Sequence, residues 1–185
     1  GGAGTGKTTL LSVLCSHTEV SKNGVLLLAP TGKARVRMED VATRAGIVNC
    51  EAFTLAQHLS TSGRYDGSVQ RYLITGERGD KCAETVIVDE CSMMTEEMLA
   101  ALFESLKGVQ RLILVGDHRQ LPPIGPGRPF VDIVGMLRPD DIETRFPKTG
   151  KGFAELTIPR RQSGEDRDDT LLASWFSGEA NSAGD

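Results

Sequence analysis

The first nine residues combine the residue types that bind a phosphate chain. Residues 1–9 read GGAGTGKTT and fit the pattern G-x-x-x-x-G-K-[ST], with Gly1, Gly6, Lys7 and Thr8 in register. Glycines let the backbone turn its N–H groups towards an anion, which also meets the positive end of the following helix. Lys7 would reach the β- and γ-phosphates of a triphosphate, and the Thr8 hydroxyl would bind a bridging Mg²⁺. The predicted contacts to the nucleotide come from Gly2, Ala3, Gly4, Thr5, Gly6, Lys7, Thr8 and Thr9.

Two acidic residues follow an apolar run of strand length. Asp89 and Glu90 come directly after Thr85–Val88. One carboxylate placed there would bind Mg²⁺ opposite the glycine loop, and the other would orient and deprotonate an attacking water. We therefore predict Asp89 as a metal ligand and Glu90 as the catalytic base. An exposed acidic turn, and a glycine-rich turn that binds nothing, are the structural alternatives.

A third polar cluster follows the apolar run Leu112–Val115. It includes Asp117 and Gln120 and continues into two prolines. A glutamine here would hydrogen-bond both the γ-phosphate and the attacking water. The state of the nucleotide would then alter the contacts that this loop makes with its neighbours. Gln120 by itself would be weak evidence for an ATPase site, but it follows the glycine loop and the acidic pair in the sequence.

The apolar runs predict the elements that position these residues. Val25–Ala29, Thr85–Val88 and Leu112–Val115 are unbroken runs, typical of strands buried on both faces of a parallel sheet. Helices between them imply an α/β fold with helices on both faces and ligands at the carboxyl ends of the strands. One predicted helix begins at residues 95–97, and its buried stripe is formed by Met94, Met98, Leu102 and Leu106.

Three further patterns predict elements near the two ends of the chain. A helix is expected from Lys7 to about residues 17–19. Residues 154–158 are a candidate fourth strand, and residues 163–178 a candidate helix. The expected apolar side of the first helix is formed by Leu10, Leu11, Val13 and Leu14.

Length, charge and cysteine usage limit the class of protein. The chain has 185 residues, enough for one domain and the beginning of a second, and it opens on the glycine loop without a preceding strand, so we expect an N-terminally truncated domain. A net charge of -4 means that any nucleic-acid contact is a local patch. The four cysteines contain no C-x-x-C pair, which disfavours a zinc site and indicates reduced thiols. No apolar run is long enough for a membrane span, and the default location is the cytoplasm.

Four motifs in order carry a resemblance to a known family. They are the glycine loop, Ala29–Ala34 (APTGKA), Val88–Met93 (VDECSM) and Val115–Pro123 (VGDHRQLPP). Together they resemble superfamily 1 DNA helicases of the RecD type, which are AAA-type P-loop ATPases. The likeness runs from Gly1 to about Gly127 and continues through Leu156–Arg161.

The resemblance implies a RecA-like motor domain that hydrolyses ATP with Mg²⁺ and moves along single-stranded DNA, with 5′ to 3′ polarity. It also implies the roles already given to Lys7, Thr8, Asp89, Glu90 and Gln120. In addition, Arg161 would reach the γ-phosphate from the edge of a second motor domain and stabilise the transition state. Its alternatives are the adjacent Arg160 in that role, or two solvated surface charges.

The same resemblance implies a DNA-contacting edge. Pro30, Thr31, Gly32 and Lys33 match the segment that grips the DNA backbone, and an exposed hydroxyl, N–H groups and a cation suit a phosphate ester. A turn followed by a helix cap is the structural alternative. Thr54 is a candidate second contact, although Ala56 stands where the family often has histidine. His58 is expected on a helix surface.

The resemblance also suggests how the chain divides. Residues 1–158 would be the first motor domain, with a small polar insertion near residues 60–84, and residues 159–185 would begin the connection to the second. The insertion interleaves aromatic residues with cations such as Arg64, as a strand-binding groove does, but acids offset them, so a solvated loop or small hairpin is favoured. We expect this piece alone to bind nucleotide weakly and not to unwind DNA.

Two other functions stay open at this point. A Pif1-like helicase shares the motif Gln120–Pro123, whereas Ala29–Ala34 favours RecD. A nucleotide-dependent switch or binding module that never translocates belongs to a different class. A degenerate remnant is disfavoured because the key residues of the predicted site are intact.

Overall fold

A computed structural model of the protein describes residues 6–47, 49–76, 79 and 82–157. The helices are α1 (Lys7–Ser16), α2 (Thr18–Ser21), α3 (Gly32–Arg44), α4 (Leu55–Thr61), α5 (Glu96–Ser105) and α6 (Pro129–Leu137). The strands are β1 (Val25–Ala29), β2 (Cys50–Thr54), β3 (Tyr65–Asp66), β4 (Arg71–Tyr72), β5 (Thr85–Val88), β6 (Arg111–Leu114), β7 (Thr149–Gly150) and β8 (Phe153–Ala154). Short 3₁₀ turns cover Cys91–Met93 and Ile142–Thr144. The helix predicted at residues 163–178 lies outside the described residues.

The central sheet is parallel, as the sequence predicts. Its strand order is β2-β1-β5-β6, and every neighbouring pair runs in the same direction. β1 and β5 lie in the middle and are buried along their whole length, because they have neighbours on both sides and helices on both faces.

Two hydrophobic cores cover the two faces of the sheet. Alternate residues of β1 face opposite cores: Leu28 packs with α4 and α5, and Leu27 packs with α1 and α3. Alternation along a strand requires this division. The predicted α/β fold with helices on both faces is therefore confirmed.

The helix predicted after the glycine loop is present, but Val13 was placed on the wrong side of it. α1 buries Leu11, whereas Val13 is 63% exposed. In the helix predicted from residue 95, Met94 and Leu102 are buried, as expected of core residues. None of the helices in the described part of the chain is long and apolar enough to cross a membrane.

The fourth strand of the sheet is β2, and the prediction of a strand at residues 154–158 is wrong for the part that is described. Phe153–Ala154 pairs antiparallel with Thr149–Gly150 in a separate two-stranded ribbon, and residues 155–157 form no strand. β2 is an edge strand whose residues alternate between half-buried and exposed. It therefore lacks the unbroken apolar run by which the buried strands are recognised.

The polar stretch after α4 contains a small hairpin, one of the two predicted outcomes. β3 pairs antiparallel with β4, and the rings of Tyr65 and Tyr72 lie 4.9 Å apart between centroids. Arg64 is not a solvated cation, because it is buried and its Nε lies 3.7 Å from an Oε of Glu104 on α5. Glu104 also accepts hydrogen bonds from the backbone N–H groups of Thr75 and Gly76. These contacts fasten the insertion to α5.

All four cysteines are free thiols, in agreement with the sequence analysis. Cys15 and Cys91 are buried, and Cys50 and Cys82 are half-buried. Burial raises the pKa of Cys15 to about 11 and is the main reason that the pKa of Cys50 is raised to about 12. Both thiols therefore stay protonated near neutral pH.

The packing of α5 gives a stability prediction. Leu102 is fully buried in the core beneath α5, so Leu102→Ala would leave a cavity and lower the free energy of unfolding by about 3 kcal/mol. Phe103 is the next residue and is 46% exposed, so Phe103→Ala should cost less than about 1 kcal/mol although it removes more carbon atoms. Chemical denaturation of both variants measures the difference, and equal losses would contradict the described orientation of α5.

Candidate active site

The predicted site residues that directly follow the strands lie along the carboxyl edge of the sheet. The strands pair in register, with Ala29 beside Thr54, and Leu28 and Leu114 on either side of Val88. Because the strands are parallel, the segments that follow them leave the same edge side by side. This edge therefore brings together residues 30–33, Thr54, the acidic pair and the loop of residues 116–123, which we call the Gln120 loop.

The described part of the glycine loop ends in a backbone conformation that needs glycine. Gly6 has φ 85° and caps α1, which begins at Lys7, and the Gly6 carbonyl accepts the N–H of Leu10 at 2.9 Å. A left-handed residue at this place directs the chain into the helix, whose first N–H groups lack intrahelical partners and are available to an anion. Thr9 is exposed, and the placement of the Thr8 side chain is not described. Gly2, Ala3, Gly4 and Thr5 lie outside the described residues.

Asp89 is a buried carboxylate at the centre of this edge. Only 3% of it is exposed, and Oδ1 accepts the N–H of Glu90 at 2.8 Å. Burial raises the pKa of Asp89, and the positive charges of Lys7 and Arg37 act in the opposite direction. The structure thus brings the predicted phosphate-binding lysine into electrostatic contact with the predicted metal ligand. The charge of Arg37 on α3 also acts on Asp89, although the sequence analysis gives Arg37 no role.

The Asp89 environment fits a divalent cation. A buried carboxylate that is costly to ionise gains most from a cation placed against it. Within the described ranges no group of three His, Cys, Asp or Glu side chains could hold a metal by itself. Mg²⁺ bound with a nucleotide needs one or two protein ligands besides phosphate oxygens and water, and the buried Asp89 carboxylate is a ligand of the type it prefers.

Glu90 occupies a left-handed backbone conformation, with φ 55° and ψ 36°. Non-glycine residues adopt this region at a cost of about 1 kcal/mol or more, and such residues concentrate at functional sites. Glu90 caps the 3₁₀ turn Cys91–Met93, and its carbonyl accepts the N–H of Met93 at 3.0 Å. The turn changes the direction of the chain directly after Asp89, so that the two acids do not continue the alternation of the strand.

Hydrogen bonds tie the Gln120 loop to the acidic turn. Ser92 Oγ donates to Gln120 Oε1 at 3.3 Å, and the N–H of Cys91 donates to the carbonyl of Val115 at 2.9 Å. The buried carboxylate of Asp117 accepts the N–H of Arg119 at 3.1 Å, and the carbonyl of Asp117 accepts that of Gln120. Ser92 is a contact that the sequence analysis missed. The only signal was a hydroxyl two residues after the acidic pair.

The continuation of this loop packs against the start of α5. The N–H of Glu96 donates to the carbonyl of Pro126 at 3.4 Å. Gly127 has φ 80°, and a Cβ there would lie 2.2 Å from the Glu96 side chain. A larger residue at position 127 would therefore strain the backbone and require the Glu96 side chain to move.

The predicted DNA-contacting residues lie at the same edge, where two of them cap helices. Thr31 Oγ1 accepts the N–H of Ala34 and caps α3, and Thr54 forms a capping box with Gln57 at the start of α4. The helix-cap alternative thus holds for Thr31, and Thr54 also caps a helix, while each hydroxyl keeps a proton to donate. Gly32 and Lys33 are exposed, and Pro30 and Thr31 are half-buried.

One predicted position needs correction, and two lie outside the described residues. His58 is not a free surface residue, because it is half-buried, lies 3.4 Å from Ser105 Oγ and has a pKa lowered by burial. Arg160 and Arg161 lie outside the described residues. The roles assigned to individual site residues stay predictions.

Comparison with known proteins places the chain in a family. The model of the family described as AAA domain (AAA_30) matches residues 1–145. The RecBCD enzyme subunit RecD of Mycobacterium tuberculosis is 34% identical, with 84% of this chain and 29% of that protein covered. The ATP-dependent RecD2 DNA helicase of Deinococcus radiodurans is 32% identical, with 71% of this chain and 16% of that protein covered.

A solved structure of Bacteroides Pif1 bound to single-stranded DNA shares the fold. The TM-score is 0.55 at 22% identity, with 96% of this chain and 41% of that chain covered. The present chain spans less than a third of the length of the curated relatives it matches.

The burial of Asp89 predicts a pH-dependent stability. The pKa of Asp89 is higher in the folded than in the unfolded protein, so between these two pKa values the folded state binds more protons. The free energy of unfolding therefore falls as the pH rises through this range. Without nucleotide and metal at pH 7, Asp89→Asn should therefore raise the melting temperature by a few degrees. Thermal unfolding at pH 4 and pH 7 measures this: the gain should shrink at the lower pH, and a variant less stable than wild type at both would contradict the described burial.

Proposed function

We propose that this chain, which belongs to the AAA domain family, is the ATP-hydrolysing motor of a DNA helicase of the RecD type. The observation that carries the proposal is that the charge of Lys7 acts on the buried Asp89, while the turn after Asp89 is hydrogen-bonded through Ser92 to Gln120. Lys7, Asp89 and Gln120 lie far apart in the sequence. ATP is the proposed substrate.

The residues at this edge divide the work of hydrolysis. Lys7 and the N–H groups at the start of α1 bind the phosphates and offset their charge. Glu90, which has a left-handed backbone conformation, holds the attacking water and accepts its proton. Gln120 hydrogen-bonds the γ-phosphate and the water, so the conformation of the loop that carries Gln120 depends on whether the γ-phosphate is bound.

Mg²⁺ fits the same site. Asp89 and the Thr8 hydroxyl would hold it, and when bound it would neutralise charge on the β- and γ-phosphates. The support is the buried, costly charge of Asp89 next to Lys7.

Single-stranded DNA is the proposed track. Thr54 is paired with Ala29 in the sheet, so it lies beside the start of the segment that carries Thr31 and the exposed Lys33. A small set of donors suits contacts to phosphate, and a chain with net charge -4 needs such a local patch. The Pif1 protein that shares the fold was solved with single-stranded DNA bound.

The remaining parts of the proposal extend beyond the described residues. Residues 1–158 would form the first motor domain with its insertion near 60–84, and 159–185 would lead to a second one. Arg161 would reach the γ-phosphate from that boundary, as an arginine that stabilises charge in the transition state. The proposed direction is 5′ to 3′. RecD is favoured over Pif1 because the RecD relatives reach 34% identity.

Two substitutions separate nucleotide binding from hydrolysis. In the full-length protein, Glu90→Gln should lower kcat at least about 100-fold while ATP still binds, because it removes the base and leaves the phosphate contacts. Lys7→Ala should weaken ATP binding and abolish turnover. Steady-state ATPase assays and equilibrium binding of a fluorescent ATP analogue measure both effects. Normal hydrolysis by Glu90→Gln would remove Glu90 from the proposed role.

DNA binding is tested by a matched pair of lysine variants. Lys33→Ala should weaken binding of the full-length protein to single-stranded DNA several-fold and reduce the salt dependence by about one phosphate contact. Lys22→Ala removes an equally exposed lysine that follows α2, near the amino end of β1, and should change neither. Fluorescence anisotropy across a salt series gives the slopes. ATP hydrolysis that single-stranded DNA does not stimulate would instead favour a nucleotide-dependent switch.

A further inference from the structure

Arg119 lies between two carboxylates that belong to different parts of the chain. Its Nε lies 3.9 Å from Oδ1 of Asp117, and its Nη2 lies 3.8 Å from Oε1 of Glu155. Asp117 belongs to the Gln120 loop, whereas Glu155 follows β8. The guanidinium therefore bridges the Gln120 loop and the segment 155–157.

Burial makes this bridge more than a surface ion pair. The side chains of Glu155 and Arg119 are only 11% and 28% exposed, and Asp117 is buried. Loss of the cation would leave two carboxylates near each other with little water to screen them. The pair should therefore hold its geometry, unlike exposed ion pairs, which contribute little.

The two ends of the bridge are each fixed to a functional neighbour. On one side, Asp117 accepts the N–H groups of Arg119 and Gln120 through its side chain and its carbonyl, so it sets the backbone that presents Gln120. On the other side, the N–H of Glu155 donates to the carbonyl of Lys148, which holds Glu155 on the β7–β8 ribbon. The chain then continues towards Arg161.

We propose that Arg119 is a positioning residue for ATP hydrolysis: by pairing with Glu155 it holds the Gln120 loop against the segment 155–157. The placement of Gln120 at the γ-phosphate then depends on where that segment lies. This inference rests on the proposed function, because it assigns Arg119 an effect on hydrolysis through Gln120. The position of the Gln120 loop then depends both on the bound nucleotide and on the β7–β8 ribbon that precedes Arg161.

The test uses the full-length protein and its ATPase activity in the presence of single-stranded DNA. Arg119→Gln and Glu155→Gln should each lower kcat about fivefold with KM for ATP changed less than twofold, because they misplace Gln120 without touching a phosphate contact. The double variant should be no worse than either single one. Arg119→Lys, which keeps the charge, should retain more activity than Arg119→Gln.

The controls separate positioning from a general loss of structure. Arg35 and Glu39 form an ion pair within α3, away from the Gln120 loop and the β7–β8 ribbon, so Arg35→Gln and Glu39→Gln should leave kcat unchanged. In a Gln120→Ala background, Arg119→Gln should have no further effect on kcat, because its effect passes through Gln120.

Three results would overturn the inference alone: wild-type kcat in Arg119→Gln, independent effects of Arg119→Gln and Glu155→Gln that multiply in the double variant, or an undiminished effect in the Gln120→Ala background. Lack of ATP hydrolysis by the wild-type protein, or a Lys7→Ala variant as active as wild type, would overturn the proposed function as well. The two failures are thus distinguishable.

Discussion

The burial of the Asp89 carboxylate directly after β5 is the constraint on which the rest of the site depends. Asp89 follows a strand that is enclosed on both sides and both faces, so its carboxylate is held where water cannot easily solvate it. Such a charge is tolerated because cations lie nearby, and it is useful because it attracts another. The stability lost by burying this acid is therefore tied directly to the chemistry proposed for it.

Because the sheet is parallel, much of this arrangement can be predicted from the sequence. Unbroken apolar runs identify β1, β5 and β6, and the carboxyl ends of parallel strands meet at one edge, so the acidic pair and Gln120 can be placed together before any coordinates exist. β2 could not be found in the same way, because an edge strand carries an alternating pattern that is also found in exposed segments. The strand predicted at residues 154–158 is wrong for its described part, because Ala154 pairs with Thr149 in a separate ribbon and residues 155–157 form no strand.

The contacts between loops were beyond the reach of sequence patterns. Ser92 meets Gln120, Arg64 meets Glu104, and Arg119 meets Glu155, each across a long separation in the chain. Charged and hydroxyl side chains occur throughout the sequence, and only the tertiary structure selects which of them become partners. The helix caps at Thr31 and Thr54 show a related ambiguity, because one hydroxyl can both end a helix and face a phosphate.

The two ends of α5 are attached to different loops, and this has a mechanical consequence. At its start, the backbone of Glu96 is bonded to Pro126 in the continuation of the Gln120 loop, and near its end Glu104 holds the segment that follows the β3–β4 hairpin. A ten-residue helix is a rod about 15 Å long that resists bending. Because such a helix is stiff, a displacement of the segment bonded to Glu104 would carry Glu96 and its hydrogen bond to Pro126 along with it.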